Sequence, residues 1–265
     1  MFRSITRKGF NPGSRRLLVA VLLIGSILVW HLRSSAGRPG ELRPAPPVIL
    51  WSWERREDLS FIDPKHIAVA YLARTLELSG DRVIVRPRLD PLTVPTHTIL
   101  IPVARIEIDY QSPPSFSSAQ RAEAARTLAA LALAASPAIQ IDFDATASQR
   151  AFYRDLLADV RARLPSSTRL SITALASWCV DDNWIAGLPV DEIVPMLYRM
   201  GRDGPHIIAY LRAGGDFSPA RARTSIGIST DYPAAGLAHG KRLYLFSPHR
   251  WTRTEVDTAI QEATR

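Results

Sequence analysis

From Val48 onward the chain alternates short apolar runs with segments of helical period. Val48–Trp53, Arg82–Arg88, Thr98–Ile106, Ile139–Asp144, Arg169–Ala176, Ile193–Tyr198, Thr224–Ser229 and Arg242–Phe246 read as strands. Helices are predicted around Lys65–Leu78, with Gly80 placed as a C-cap, and over Ser118–Ala134, Ser148–Leu164, Ile207–Arg212 and Thr252–Ala263. The Ser148–Leu164 segment carries Phe152, Leu156, Leu157 and Val160 on one stripe and stops at Pro165. Thr252 opens the last helix with Glu255 at the capping-box spacing. Leu89–His97 contains Pro91 and Pro95 and is not helical. The strands flanking it therefore form a hairpin, or one of them lies outside the main sheet.

Seven or eight strands alternating with helices predict a (β/α)8 TIM-like barrel over residues 48–265, with room for one irregular early β/α unit. A doubly wound open sheet is the competing architecture, but no Gly-rich phosphate loop follows the first strand.

Charge and composition change the picture mainly at the N-terminus. The formal net charge is +8, a value that suggests nucleic-acid binding until its position is considered. Residues 1–44 hold eight basic residues against Glu41 alone, so seven of those charges lie there. The rest is nearly neutral and offers no basic stripe for a phosphate backbone, which argues against a nucleic-acid partner. Behind this basic region runs Leu17–Trp30, 14 uncharged and mostly apolar residues. Residues 1–36 are therefore expected to be a signal peptide or an uncleaved membrane anchor, followed by a Pro/Gly/Arg linker over 37–47. Either alternative exports the body, to the periplasm or to the outer side of the membrane. Cys179 is the only cysteine, so no internal disulfide forms, and it is expected to be half-buried and inert at a strand end.

The segment Ile139–Asp144 is the most informative chemically. It puts Ile139, Ile141 and Phe143 on one face and Gln140, Asp142 and Asp144 on the other, so polar groups point into an interior covered on both sides. Two carboxylates at i and i+2 lie about 6.6 Å apart on one side of a strand. Their repulsion is expected to raise one pKa, making Asp144, nearer the mouth, the acid and Asp142 the group that orients it. Other strand ends add Trp51, Trp53 and Glu54, then Arg105 and Glu107, then Trp178, then Met196, Tyr198 and Arg199. Carboxylates, arginines and aromatic rings together suit a sugar. Asp231, Tyr232, His249 and Trp251 follow the last two strands. No metal or cofactor is expected, since the scattered histidines lack ligand spacing.

The stretch from about Val48 to Ser247 resembles the bacterial family catalogued as domain of unknown function 3142. The resemblance runs through Leu50–Arg55, Ile139–Asp144, Leu170–Trp178 and Val194–Gly201. More distantly, the chain is similar to the chitinase-like barrels of glycoside hydrolase family 18. That family's Asp-x-x-Asp-x-Asp-x-Glu falls on Pro137, Gln140, Asp142 and Asp144, and its Met-x-Tyr-Asp on Met196–Arg199. The first two aspartates are absent, the acid is one methylene shorter, and Arg199 replaces an aspartate. The resemblance implies a barrel with a carbohydrate-shaped pocket, and Tyr198 against the reacting sugar.

Two readings stay open: a glycoside hydrolase-like enzyme acting on a cell-envelope or extracellular glycan, and a non-catalytic, envelope-anchored glycan-binding protein. In both, Trp51, Trp53, Glu54, Arg105, Glu107, Trp178, Met196 and Arg199 are the expected binding residues. A metal-dependent glycosyltransferase built on Asp142-x-Asp144 is disfavoured, because nucleotide-sugar donors are cytoplasmic.

Overall fold

The computed structural model describes residues 46–132, 136–182, 184–232 and 236–265. The expected leader, 1–36, and nearly all of the linker lie outside the described residues. Among the described residues, no helix is long and apolar enough to cross a membrane.

Among the described residues eleven strands are formed: β1 Val48–Ser52, β2 Glu57–Asp58, β3 Ile67–Ser79, β4 Arg82–Pro87, β5 Leu92–Thr93, β6 Leu100–Ile108, β7 Ala138–Asp142, β8 Arg169–Leu175, β9 Glu192–Met196, β10 Ser225–Ser229 and β11 Arg242–Phe246. The α-helices among the same residues are α1 Ser118–Ala132, α2 Arg150–Arg163, α3 Gly204–Arg212 and α4 Arg253–Thr264. One nine-stranded sheet runs in the order β1-β11-β10-β9-β8-β7-β6-β3-β4, and β1 also pairs with β3. That last pairing closes eight parallel strands into a barrel and leaves β4 outside it, antiparallel to β3. The expected (β/α)8 architecture is therefore present.

Barrel strands are covered by side chains within and helices without, which is why they read as continuous apolar runs. Every residue of β1 and of β10 is buried. Inside, Ile49, Trp51, Ala68, Ala70, Ile101, Val103, Val194 and Tyr244 form one core. The opposite strand faces, including Ile139, Ile141, Ile172 and Ile226, pack on the helices in a second, larger one. Polar side chains also enter the interior at its N-terminal end. There Glu192 accepts hydrogen bonds from Ser225 (2.5 Å), Arg242 (2.5 Å) and Tyr244 (2.8 Å).

Lys65–Leu78 is not a helix. Ile67–Ser79 is a 13-residue strand, and Gly80 (φ +52°) turns the β3–β4 hairpin instead of capping a helix. Both parities of this segment are apolar up to Leu72, which suits a strand lying between two apolar layers. A register shift between Leu72 and Arg74 then changes which parity faces inward. Leu76 and Leu78 join the outer core, while Thr75 and Glu77 pair in register with Arg105 and Glu107.

The irregularity goes further than one early unit. Among the described residues, β1 reaches β3 and β3 reaches β6 without an α-helix, and β2 and β5 pair with each other in those connections. The last helix starts as its sequence suggests, with the Thr252 side chain accepting from the Glu255 N–H.

Candidate functional site

A cavity of about 150 Å³ opens at the C-terminal end of the barrel. Its walls come from Trp51 and Trp53 on and after β1, Arg105 on β6, Asp142 and Asp144 on and after β7, and Thr173 and Leu175 on β8. Met196, Tyr198 and Arg199 on and after β9, with Phe246 on β11, complete them. This size is below the ~300–1,000 Å³ of pockets that enclose a drug-sized ligand. It suits one ring or substituent of a longer ligand.

Asp142 is 4% exposed and both of its oxygens are occupied. Oδ1 accepts from Thr173 Oγ1 at 2.6 Å, and Oδ2 from Arg105 Nη1 at 2.9 Å. Burying a polar group is costly unless its atoms find partners, and both oxygens here have one. Arg105 is itself held through Nε by Glu107 (3.1 Å), which also pairs with Arg86 of β4 (2.6 Å). Arg86 reaches on to Glu77 at 2.5 Å, so a charge ladder runs from the outer hairpin to the barrel interior.

Asp144 is treated differently. Its side chain is accessible through the mouth and has no hydrogen-bond partner among the described residues. The surrounding rim still removes bulk water from it, and that desolvation, followed by the Asp142 charge, raises its pKa against the opposing pull of Arg105 and Arg199. The expected direction is present, but desolvation leads and repulsion comes second.

Aromatic rings build the wall. Tyr198 stacks on Phe246 with centroids 5.5 Å apart and planes at 8°. Trp51 meets Tyr198 edge-on at 6.3 Å. Burial raises the Tyr198 hydroxyl far above the usual phenol range, so it stays protonated; it donates to Met196 Sδ at 3.3 Å, a weak acceptor. The Trp51 indole is fixed by its Nε1–H donating to Gln140 Oε1 (2.7 Å), and Gln140 in turn donates to Ser171 (3.2 Å). Arg88 binds the carbonyls of Ser52, Trp53 and Arg55, which holds the chain leaving β1. Arg55 pairs with buried Glu57, and Glu57 accepts from the Trp251 N–H at 2.8 Å, tying that segment to the one after β11.

The cavity thus gathers Asp142, Asp144, Tyr198, Trp51, Trp53, Arg105, Met196 and Arg199. Three expected binding residues stand apart from it. Trp178 is 3% exposed in a π-helical turn, Trp178–Asp182, and packs edge-on against Trp184 at 5.0 Å. Strand β8 ends at Leu175, so the backbone has already turned when Trp178 is reached. Glu54 is exposed and takes only a long hydrogen bond from Thr75 (3.5 Å). Glu107 does not line the cavity and acts on it through Arg105. Cys179 is fully buried rather than half-buried, and burial pushes its thiol pKa far up, away from nucleophilic use.

Thr173, Leu175 and Phe246 line the cavity without having been singled out in the sequence. Thr173 had a readable signal: Ser171 and Thr173 repeat the inward polar alternation of Gln140 and Asp142. Asp231, Tyr232 and His249 instead line a larger cavity, about 990 Å³, between the ends of β10 and β11 and helix α4. Two of the three acids lining it are engaged locally: Asp231 accepts from Ser229, and Glu255 from Ser247 and Thr230. Trp251 is buried, with Nε1–H donating to the Trp51 carbonyl at 3.0 Å.

No family model matches the chain, and no curated protein matches it. The resemblance to domain of unknown function 3142 therefore stands on the quoted motifs alone. Among solved structures, the chain is similar to the spore cortex-lytic enzyme SleL of Bacillus cereus, at 18% identity and a TM-score of 0.43. The alignment covers 69% of this chain and 50% of that one, so the chain spans about half of that structure. The barrel assignment rests on the strand pairing described above.

Proposed function

We propose that the barrel mouth is a glycoside hydrolase-like site in which Asp144 serves as the general acid/base on a glycan. The observation that carries this reading is Asp144 itself. It is an accessible carboxyl with a raised pKa and no hydrogen-bond partner among the described residues, beside an aromatic wall. A carboxyl kept protonated above its usual range is suited to protonating a glycosidic oxygen as the bond breaks. Asp142, with both oxygens occupied, is a positioning and charge-setting group and not an attacking one. The attack on the anomeric carbon then falls to water or to a group of the substrate itself. Tyr198 offers a protonated hydroxyl beside the reacting ring, and Trp53 offers a ring face for a sugar. The test is Asp144→Asn, which is expected to abolish release of reducing ends from envelope or secreted polysaccharides while the circular dichroism spectrum is kept. Retained hydrolysis would remove the assignment.

The occupied oxygens of Asp142 favour a second reading, a glycan-binding protein without turnover, because Asp144 is then the one carboxylate at the cavity, among the described residues, with free oxygens. Binding on a glycan array that survives Asp144→Asn, with no product after long incubation, would select it.

The basic leader and the apolar run Leu17–Trp30 support export or membrane anchoring of the barrel. Cell fractionation with sequencing of the mature N-terminus tests this and distinguishes cleavage from anchorage.

A further inference from the structure

The two arginines of the cavity differ in their commitments. Arg105 gives Nη1 to Asp142 and Nε to Glu107, so its charge is already shared between two carboxylates. Arg199 also lines the cavity, yet no carboxylate lies within ion-pair distance of it among the described residues. Its guanidinium carbon lies 5.8 Å from the centroid of Phe246, close enough for a cation–π contact. Such a contact orients the planar fork while leaving its edges free to donate.

The backbone at this position is equally unusual. Arg199 has φ +53°, in the left-handed region that a non-glycine residue enters at a cost of about 1–2 kcal/mol. Glycine would occupy the position without strain, as it does two residues later at Gly201 (φ +59°). The fold therefore holds an arginine, not a glycine, in a strained conformation at the edge of a small aromatic-walled cavity.

Resting on the glycan reading above, we infer that the ring entering this cavity bears a carboxylate, as in a uronic-acid sugar, and that Arg199 is its anion contact. A guanidinium donates two parallel N–H bonds to a carboxylate, which provides direction as well as charge. Asp144 opposes an anion when ionised. Desolvation and the Asp142 charge raise its pKa, so its neutral form persists to higher pH than an ordinary aspartic acid allows.

The test is calorimetric titration of the full-length chain with oligosaccharides of polygalacturonate, alginate and hyaluronan, each beside its carboxyl-reduced counterpart. At least one acidic form is expected to bind tenfold or more tightly than its reduced partner, with the gap narrowing at high salt. Arg199→Gln is expected to shrink the gap below threefold, and Arg199→Lys to keep part of it. Arg199→Gly relieves the backbone, so it is expected to unfold at an equal or higher temperature while losing the preference; that result separates lost recognition from lost folding. Equal binding of acidic and reduced forms would overturn the carboxylate inference and leave the glycan reading standing. A preference that survives Arg199→Gln would overturn the role of Arg199. Failure of every oligosaccharide to bind would overturn both readings together.

Discussion

Gly227 lies so close to the indole of Trp51 that a Cβ there would stand 2.9 Å from Cη2 and 3.2 Å from Cζ3. The largest side chain of the cavity floor thus depends on β10 having no side chain at this point. Gly227→Ala is expected to destabilise the barrel by about 1–3 kcal/mol through overpacking. It should also displace Trp51 from Gln140 and weaken ligand binding. Urea denaturation and the tryptophan emission maximum report both effects, and an unshifted midpoint would contradict them.

Arg105 and Thr173 hold the same carboxylate and should act as a coupled pair. Arg105→Met leaves a buried charge with one neutral donor; with Arg105 34% exposed, the expected loss is about 2–3 kcal/mol, below that for a fully buried pair. Thr173→Val removes only the hydroxyl donor and should cost about 1–2 kcal/mol. A double-mutant cycle is expected to show clear non-additivity, because either change alters what the other donor must compensate. Strict additivity would mean that the two donors act on Asp142 independently.

The raised pKa of Asp144 has a definite sign in the stability profile. A carboxyl that is harder to ionise when folded carries no penalty below its unfolded pKa of about 3.9. The penalty grows as pH rises and is complete above the raised folded value. Asp144→Asn should therefore raise the melting temperature at neutral pH and leave it unchanged near pH 3. If the enzymatic reading holds, hydrolysis falls as pH rises through the same raised pKa. Thermal melts from pH 3 to 8 check the first expectation, and a rate profile the second.

Glu192 behaves in the opposite sense. Burial acts to raise its pKa, but Arg242, Ser225 and Tyr244 outweigh burial and lower it. Its contribution is fully present above the unfolded glutamate value of about 4.3 and is lost as pH falls through the lower folded pKa. Glu192→Gln should destabilise the protein at pH 7 and flatten the acid limb of its pH–stability curve. An acid limb of unchanged steepness in that variant would assign acid unfolding to other carboxylates.

Much of the barrel was legible because covered parallel strands leave apolar runs: Arg242–Phe246 has the same bounds in sequence and structure. The inward row Gln140, Asp142, Asp144 was also legible, since strand alternation alone places those three together. β3 was misread because its apolar residues satisfy helical spacing as well as strand alternation, and its register shift breaks the two-residue period. Trp178 was misplaced because the strand ends at Leu175 and the chain then turns into the Trp178–Asp182 helix, so strand alternation no longer sets what its side chain faces. Glu57 and Phe246 left no local signal. The role of Glu57 comes from Trp251, 194 positions away, and that of Phe246 from stacking on Tyr198.

Strand β4 lies outside the barrel, and its Arg86 is half exposed, yet Arg86 grips the glutamate that steadies Arg105. The acid–base character of the cavity is therefore open to adjustment from the protein's outer skin. A substitution along that hairpin can move Arg105, and with it the positive charge that Asp144 feels, without altering a single wall residue.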